Sequence, residues 1–388
     1  MISAATFEDV STLVVEAPHP DCRASVIIPA RNEEVGLKGT LDALVSQFHL
    51  DGEPLAWDSY EILLLLNNCT DASAEVAREY GRRHPGLHLH VAERTFHEDE
   101  AHVGTARRML MDAACARMER VAQGESGVIL STDADTLVAP DWIAANLAAI
   151  EGGAEVVGGE ICLLPQDVEA LDAGTRDAYE NDQRFQHLVA RLESLLDPDP
   201  SDPWPRHLHH FGASLACTCE AYRRCGGLPA VKPLEDVAFI DALRKVGARI
   251  RHAPEVRIYT SARLEGRAEV GLSGQLRHWQ REAREGIPHV VDSCEWLLHR
   301  FSVLAALRRF NDSASGDLPV RLSESWSKRL ADARALRLPT PRFLEQLDCN
   351  ALIEESFESP VRRAEISDVL RGLAASISRL QAAPEHQA

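Results

Sequence analysis

The apolar residues of this chain fall into short runs separated by amphipathic stretches. Ala24-Ser25-Val26-Ile27-Ile28 is one run, closed by Pro29, and the stretch 35–47 follows it with Leu37, Leu41, Leu44 and Val45 at helical spacing. Runs with few polar interruptions predict strands buried on both faces, and the 3.6-residue spacing predicts helices that cover them. The alternation repeats, predicting strands over 60–66, 87–91 and 127–131 and helices over 73–84 and 105–123. Pro140 then opens a helix reaching 151, a further strand covers 156–163 before Pro165, and a long helical pattern runs over 167–196. Repeated strand–helix units of this kind predict an α/β fold with a doubly wound, mainly parallel sheet and right-handed crossovers.

The second half of the chain reads differently. Pro198, Pro200, Pro203 and Pro205 stiffen a loop that leads into His207, His209 and His210, a wall or lid for whatever binds nearby. Helices are predicted over 220–225 and 235–246, around a Gly226-Gly227 turn, and short strands over 248–252 and 256–259. From 272 onward the pattern is helical, with loops near 311–317 and 339–341 and no strong strand. The expected organisation is a lead-in over 1–22, an α/β domain over 23–270 with halves 23–165 and 166–270, and a helical C-terminal extension over 271–388.

Composition narrows the partners. The chain has 41 Lys+Arg against 60 Asp+Glu, a formal charge of -19, which argues against nucleic acid or an anionic membrane as the main partner. Nine cysteines, an odd number scattered over 388 residues, point to a reducing, cytoplasmic setting. The longest clean apolar run, Ile62 to Leu66, falls far short of the roughly 20 residues of a membrane span. Membrane contact, on this reading, is peripheral.

The candidate chemistry gathers where strands end. In open α/β sheets ligands bind beyond the carboxyl ends of the strands, and there the chain places Pro29-Ala-Arg31-Asn-Glu33-Glu34, Asn67-Asn-Cys-Thr-Asp71 and Asp133-Ala-Asp135. Taken singly, the acids of the first two loops also serve as helix caps and as favourable charge at helix N-termini. His102-Val-Gly104-Thr-Ala106-Arg107-Arg108 adds a small-residue turn and two arginines ahead of the third helix. Further on, Glu235-Asp236 follows the Gly226-Gly227 turn, and Phe211-Gly212-Ala213-Ser214 precedes it.

In order and spacing these elements resemble the nucleotide-sugar half of a family 2 glycosyltransferase with the GT-A fold, over roughly residues 23–265. The resemblance implies a nucleoside-diphosphate sugar as donor, UDP favoured, and Mn²⁺ or Mg²⁺ as cofactor. It places Glu33 and Asp71 at the base and ribose, together with Pro29, Arg31 and Asn67, and Arg107 at the diphosphate. Asp133 would meet the ribose and Asp135 the metal. A metal held by a carboxylate and both phosphates neutralises the charge of the departing diphosphate. Asp236 matches the family's general base, with Glu235 beside it, since inverting transfer needs a carboxylate to take the acceptor hydroxyl proton. A retaining relative with His210 or His252 as an added metal ligand stays open.

The acceptor, a small molecule or glycan, has His210, Gly212, Arg263 and Arg267 as its candidates, the arginines through forked hydrogen bonds to an anion. Gln275-Leu-Arg277-His-Trp279 is similar to the motif of processive members but sets its arginine one residue early, which argues against a polymerising synthase. Two other classes compete. A haloacid-dehalogenase-like phosphatase would use Asp133 as nucleophile, although its motif follows the first strand rather than the fourth. A non-catalytic module of the same fold would keep the acids without an open cavity between Asp135 and Asp236. The helical C-terminal region offers a surface for a homodimer.

Overall fold

The computed structural model describes residues 13–14, 16–121, 127–229, 231–232, 234–263, 271–312 and 323–382. Its strands are β1 (Ala24–Ala30), β2 (Tyr60–Asn67), β3 (Leu89–Arg94), β4 (Val128–Thr132), β5 (Thr136–Val138), β6 (Val156–Leu163), β7 (Ser214–Thr218), β8 (Ile250–Thr260), β9 (Val290–Asp292) and β10 (Arg363–Glu365). The helices are α1 (Leu37–Val45), α2 (Ser73–Arg83), α3 (Val103–Met118), α4 (Trp142–Glu151), α5 (Pro165–Ala170), α6 (Ala173–Leu196) and α7 (Cys219–Arg224). They continue with α8 (Glu235–Lys245), α9 (Leu272–Glu285), α10 (Cys294–Asp312), α11 (Glu324–Ala335), α12 (Thr340–Leu347), α13 (Cys349–Glu355) and α14 (Ile366–Ala382).

The chain divides into two compact units, the first built from the residues up to Val168 and from His209–Arg263, the second from Glu169–Leu208 and from Gly271 onward. Unit 1 holds an eight-stranded sheet in the order β3-β2-β1-β4-β7-β6-β8-β5. β1 pairs in parallel with β2 and β4, β2 with β3, and β6 with β8. β7 runs antiparallel between β4 and β6, and β5 runs antiparallel to β8 at the edge.

The apolar runs are buried on both faces, as continuous hydrophobic strands must be. Val26, Ile28, Ile62, Leu64 and Leu130 face Leu41, Leu44, Ala77 and Trp142, while Ile27, Leu63, Leu65 and Ile129 face Leu110, Met111, Phe239 and Leu243. At about 1.5–3 kcal/mol per fully buried aliphatic side chain, these two layers are the main force holding the sheet. One ion pair of buried side chains lies beside them. Glu61 of β2 accepts from Ser25 Oγ at 2.9 Å and from Arg117 Nη2 at 2.6 Å, and Arg117 Nη1 donates to the carbonyls of Glu16 at 2.5 Å and Val14 at 3.3 Å. With those partners the buried pair ties Val14, Glu16 and α3 to the sheet.

Unit 2 is helical. Phe185, Val189 and Leu192 of α6 form one apolar stripe that packs with Phe301 of α10 and with Val369, Leu373 and Ile377 of α14. Trp296, Leu307, Trp326, Leu330, Phe343 and Leu347 build a second cluster among α10, α11 and α12. Among the described residues no helix is long and apolar enough to cross a membrane.

Several expectations shift for identifiable reasons. The apolar stripe of α6 sends residues 169–208 into unit 2, so the division does not follow the expected boundary at 270/271. The helical pattern over 167–196 breaks into α5 and α6 because Asp172 caps the second helix, its Oδ1 accepting from Thr175 N at 3.0 Å. The two short strands expected over 248–259 are one strand, β8, with a bulge around Pro254 where the register against Gly159 and Glu160 slips. A proline without an N–H is accommodated at such an interruption. β5, β7 and the β9–β10 ribbon were not expected, and β7 occupies the middle of the sheet.

Candidate active site

All the described candidate residues lie in unit 1, along the edge where β1, β2 and β4 end and where β7, running the other way, begins. The loops after β1 and β2 turn through Asn32 (φ 55) and Asn68 (φ 52), left-handed conformations that asparagine tolerates better than most residues. They are stitched together. Asp71 Oδ2 accepts from Glu34 N at 3.0 Å while Glu34 Oε2 accepts from Ala72 N at 2.9 Å. Ser73 Oγ donates to Asp71 Oδ1 at 2.6 Å and accepts from Glu33 N at 2.7 Å, and Asn32 Oδ1 accepts from Thr70 N at 2.7 Å. Despite some desolvation, these donors hold the Asp71 carboxyl below its ordinary pKa. Pro29 is buried against the register position of Leu65, Asn67 is buried at the end of β2, and exposed Arg31 donates to the carbonyl of Ala101 at 3.0 Å.

The centre of the site is Arg107, 4% exposed. Its Nη2 donates to Asp133 Oδ1 at 2.7 Å and its Nη1 to Glu235 Oε1. Burial works against the guanidinium charge, but Asp133, Glu235 and Asp236 outweigh it and raise the arginine's pKa. Desolvation raises the Asp133 carboxyl against the pull of Arg107, and neighbouring Asp135 reinforces the rise. Asp236 is fixed by backbone donors, Oδ2 by Gly212 N at 2.9 Å and Oδ1 by Val237 N at 2.8 Å. Leu234, immediately before them, takes φ 67, a costly conformation for leucine that sets how α8 presents its two acids. Gly104, at the start of α3, packs so closely that an added Cβ would lie 3.3 Å from Glu235 Cβ.

A second cluster forms around Arg263, whose Nη2 pairs with Asp135 Oδ2 while Nη1 lies 3.7 Å from Glu33 Oε2. One exposed guanidinium thus spans two carboxylates from the ends of different strands. Among the described residues no three His, Cys, Asp or Glu side chains form a group able to hold a metal ion unaided. His210 meets His252, Nδ1 to Nε2 at 3.1 Å, and His209 Nδ1 accepts from Ile161 N at 3.0 Å. Burial, with the neighbouring His252, pushes His209 down to about 4 and His210 down to about 3, so both rings are neutral at pH 7. Arg267 lies outside the described residues.

The structure therefore unites Arg107, Asp133, Glu235, Asp236 and Gly212 in one network, and Glu33, Asp135 and Arg263 in another. Sequence reasoning missed Ser131, whose Oγ donates to Gly212 O at 2.8 Å, and the cross-loop roles of Glu34 and Ser73. Ser131 had one signal, a hydroxyl at the end of an otherwise apolar strand. Glu34 and Ser73 had none beyond the capping pattern.

Paired acids from β4 and from the start of α8 thus share one strand edge. Residues 25–168 match the family model described as Glycosyl transferase family 2. The chain is 26% identical over 192 residues to glycosyltransferase AglE of Haloferax volcanii, an alignment covering 47% of this chain and 56% of that protein. The chain thus spans little more than half the length of this relative. Among solved structures it is similar to the mannosyltransferase PcManGT of Pyrobaculum calidifontis in complex with GDP-Man and Mn²⁺, with TM-score 0.41 and 17% identity over 96% of this chain and 86% of that one. It is also similar to residues 1–349 of TarS from S. aureus in complex with UDP-GlcNAc, with TM-score 0.44 and 16% identity over 94% and 93% of the two chains. The matched segment includes Asp133, so the match favours the transferase reading over the phosphatase one.

Proposed function

We propose that the chain transfers a sugar from a nucleoside-diphosphate sugar to an acceptor hydroxyl, with inversion and with Asp236 as general base. One observation carries this reading: the acids ending β4 and the acids opening α8, more than 100 positions apart, meet on one buried guanidinium. Donor-side and acceptor-side chemistry need that proximity. Glu33, Asp71, Pro29, Arg31 and Asn67 line the loops assigned to base and ribose, and Asp133 sits where the ribose would end.

The donor set fits a divalent cation. Arg263 bridging Asp135 and Glu33 means that two carboxylates converge on one cationic position. One or two carboxylates, with phosphate oxygens and water completing the shell, is how Mg²⁺ or Mn²⁺ is held at nucleotide sites. Asp135 would hold it, and when bound it would supply neutralising charge for the leaving diphosphate. The protein's own part is positional. Two backbone N–H groups leave Asp236 a fixed carboxylate to receive the acceptor proton, and Arg263, once released from Asp135, is placed to meet an anionic group. His210 and Gly212 lie on the acceptor side.

The test pairs two variants with a panel of UDP-, GDP- and dTDP-sugars, with and without Mn²⁺. Asp135→Ala is expected to abolish Mn²⁺-dependent donor binding. Asp236→Asn is expected to keep it while transfer drops by about 10²-fold or more. Near-full transfer by Asp236→Asn would remove the base assignment, and no response to any nucleotide would favour a non-catalytic module.

A further inference from the structure

The resemblance assigned Arg107 to the diphosphate, but its surroundings fit a different task. Each terminal nitrogen already donates to a carboxylate, Nη1 to Glu235 and Nη2 to Asp133, and Nε is buried without a partner. The flat of the guanidinium is covered by Gly212, where an added Cβ would lie 2.4 Å from Cζ, 2.6 Å from Nη1 and 2.7 Å from Nη2. With Arg107 4% exposed and both acids already bound, a phosphate at the terminal nitrogens would compete with those carboxylates. Followed around, the contacts close on themselves. Asp133 leads to Arg107, Arg107 to Glu235, and the adjacent Asp236 accepts from Gly212 N. Gly212 O accepts from Ser131 Oγ, two residues before Asp133 on the same strand end. Four chain segments, β4, α3 through Arg107, the entry to β7 and the start of α8, are thereby held in one ring.

We infer that Arg107 is a positioning residue that sets the donor-side acids of β4 against the acceptor-side acids of α8, acting through Asp133 and Glu235 rather than on the diphosphate. The inference rests on the transferase reading above. A forked guanidinium suits the task because it offers separate donors in two fixed directions, whereas a lysine ammonium is a single point charge on a flexible stem.

The test is Arg107→Lys, which keeps the charge and loses the fork. Calorimetry with Mn²⁺ and either UDP or uridine is expected to show both affinities within about threefold of the wild type, while kcat for transfer falls by about 10²-fold, the usual consequence of misplaced reacting groups. If UDP binding falls at least about tenfold with uridine unchanged, Arg107 is a phosphate ligand and the inference is overturned. A kcat within about threefold of the wild type overturns it equally.

Glu235→Gln supplies a second variant. Its kcat loss is expected to combine with that of Arg107→Lys far less than multiplicatively, and multiplicative losses would mean that the two act separately. Should the wild-type chain bind neither UDP nor GDP and turn over no sugar nucleotide, the transferase reading fails by itself. The ring is then decided by urea unfolding of the same two single variants and their double, where additive effects overturn it.

Discussion

Gly212→Ala is expected to damage the site by steric means alone. The added Cβ would lie 2.4 Å from Arg107 Cζ. Carbon contacts settle near 3.5–4.0 Å, so about 1 Å has to be found. Neither side gives easily. The peptide is held by Asp236 at 2.9 Å and Ser131 at 2.8 Å, and the guanidinium by Asp133 at 2.7 Å and by Glu235. A displacement of that size stretches at least one of these bonds beyond about 3.5 Å, where it ceases to count. Losing one bond to a charged group costs about 1.5–3 kcal/mol of stability. Misplacing the acids by the same distance lowers kcat by about 10²-fold. Urea unfolding measures the first and donor turnover the second, while hydrogen exchange over 209–218 and 235–245 locates the disturbance. Gly81→Ala is the control, since its Cβ would meet nothing nearer than Leu89 Cδ2 at 3.9 Å and a helical alanine gains about 1 kcal/mol over glycine. If Gly212→Ala proves as stable and active as Gly81→Ala, the guanidinium is not pressed against that peptide and the reasoning fails.

Glu61→Gln, which strands the Arg117 charge inside the sheet, is expected to cost about 3–5 kcal/mol in urea unfolding, most of it recovered when Arg117→Met is added. His209 and His210, lowered to about 4 and about 3, favour the neutral ring in the folded state, whereas the unfolded chain takes up protons below pH ~6.5. Their contribution is full above that pH and is lost as the solution is acidified toward 4. His209→Asn, which keeps an acceptor for Ile161 N, should flatten that part of the pH–stability curve. An unchanged acid limb would assign it to other groups.

The strands read most directly from sequence were those built mainly from apolar side chains. β6 was expected over its observed span, and β1 and β2 to within two residues. β7 escaped because Ser-Leu-Ala-Cys-Thr has no clear alternation and a single β-branched residue, Thr218, although every one of its five positions is buried. Its place is decided by β4 and β6 on either side, which no local pattern reveals. The same holds for the site. Asp133, Asp135, Glu235, Asp236 and Gly212 stood out as residues at strand ends and turns, and the structure brings four of the five into one network. That Arg107 would be their hub was not legible, since an arginine at the head of a helix looks alike whether it faces solvent or two buried acids. The modest reading of Asp71 as a cap describes its contacts, with the addition that it clamps the neighbouring loop as well.

The insertion of β7 also separates what is inherited from what can fold. The family model ends at residue 168, yet β7 and β8 come later in the chain. A fragment cut to the matched segment would leave β4 with one side of its backbone unpaired, and β6 and β5 without the strands they bond to. Exposed apolar edges of that kind invite pairing with other chains. On the ribosome, the middle of the sheet therefore has to wait for the segment 214–218, and a shortened expression product bounded by the family match would be expected to aggregate rather than to yield half an enzyme.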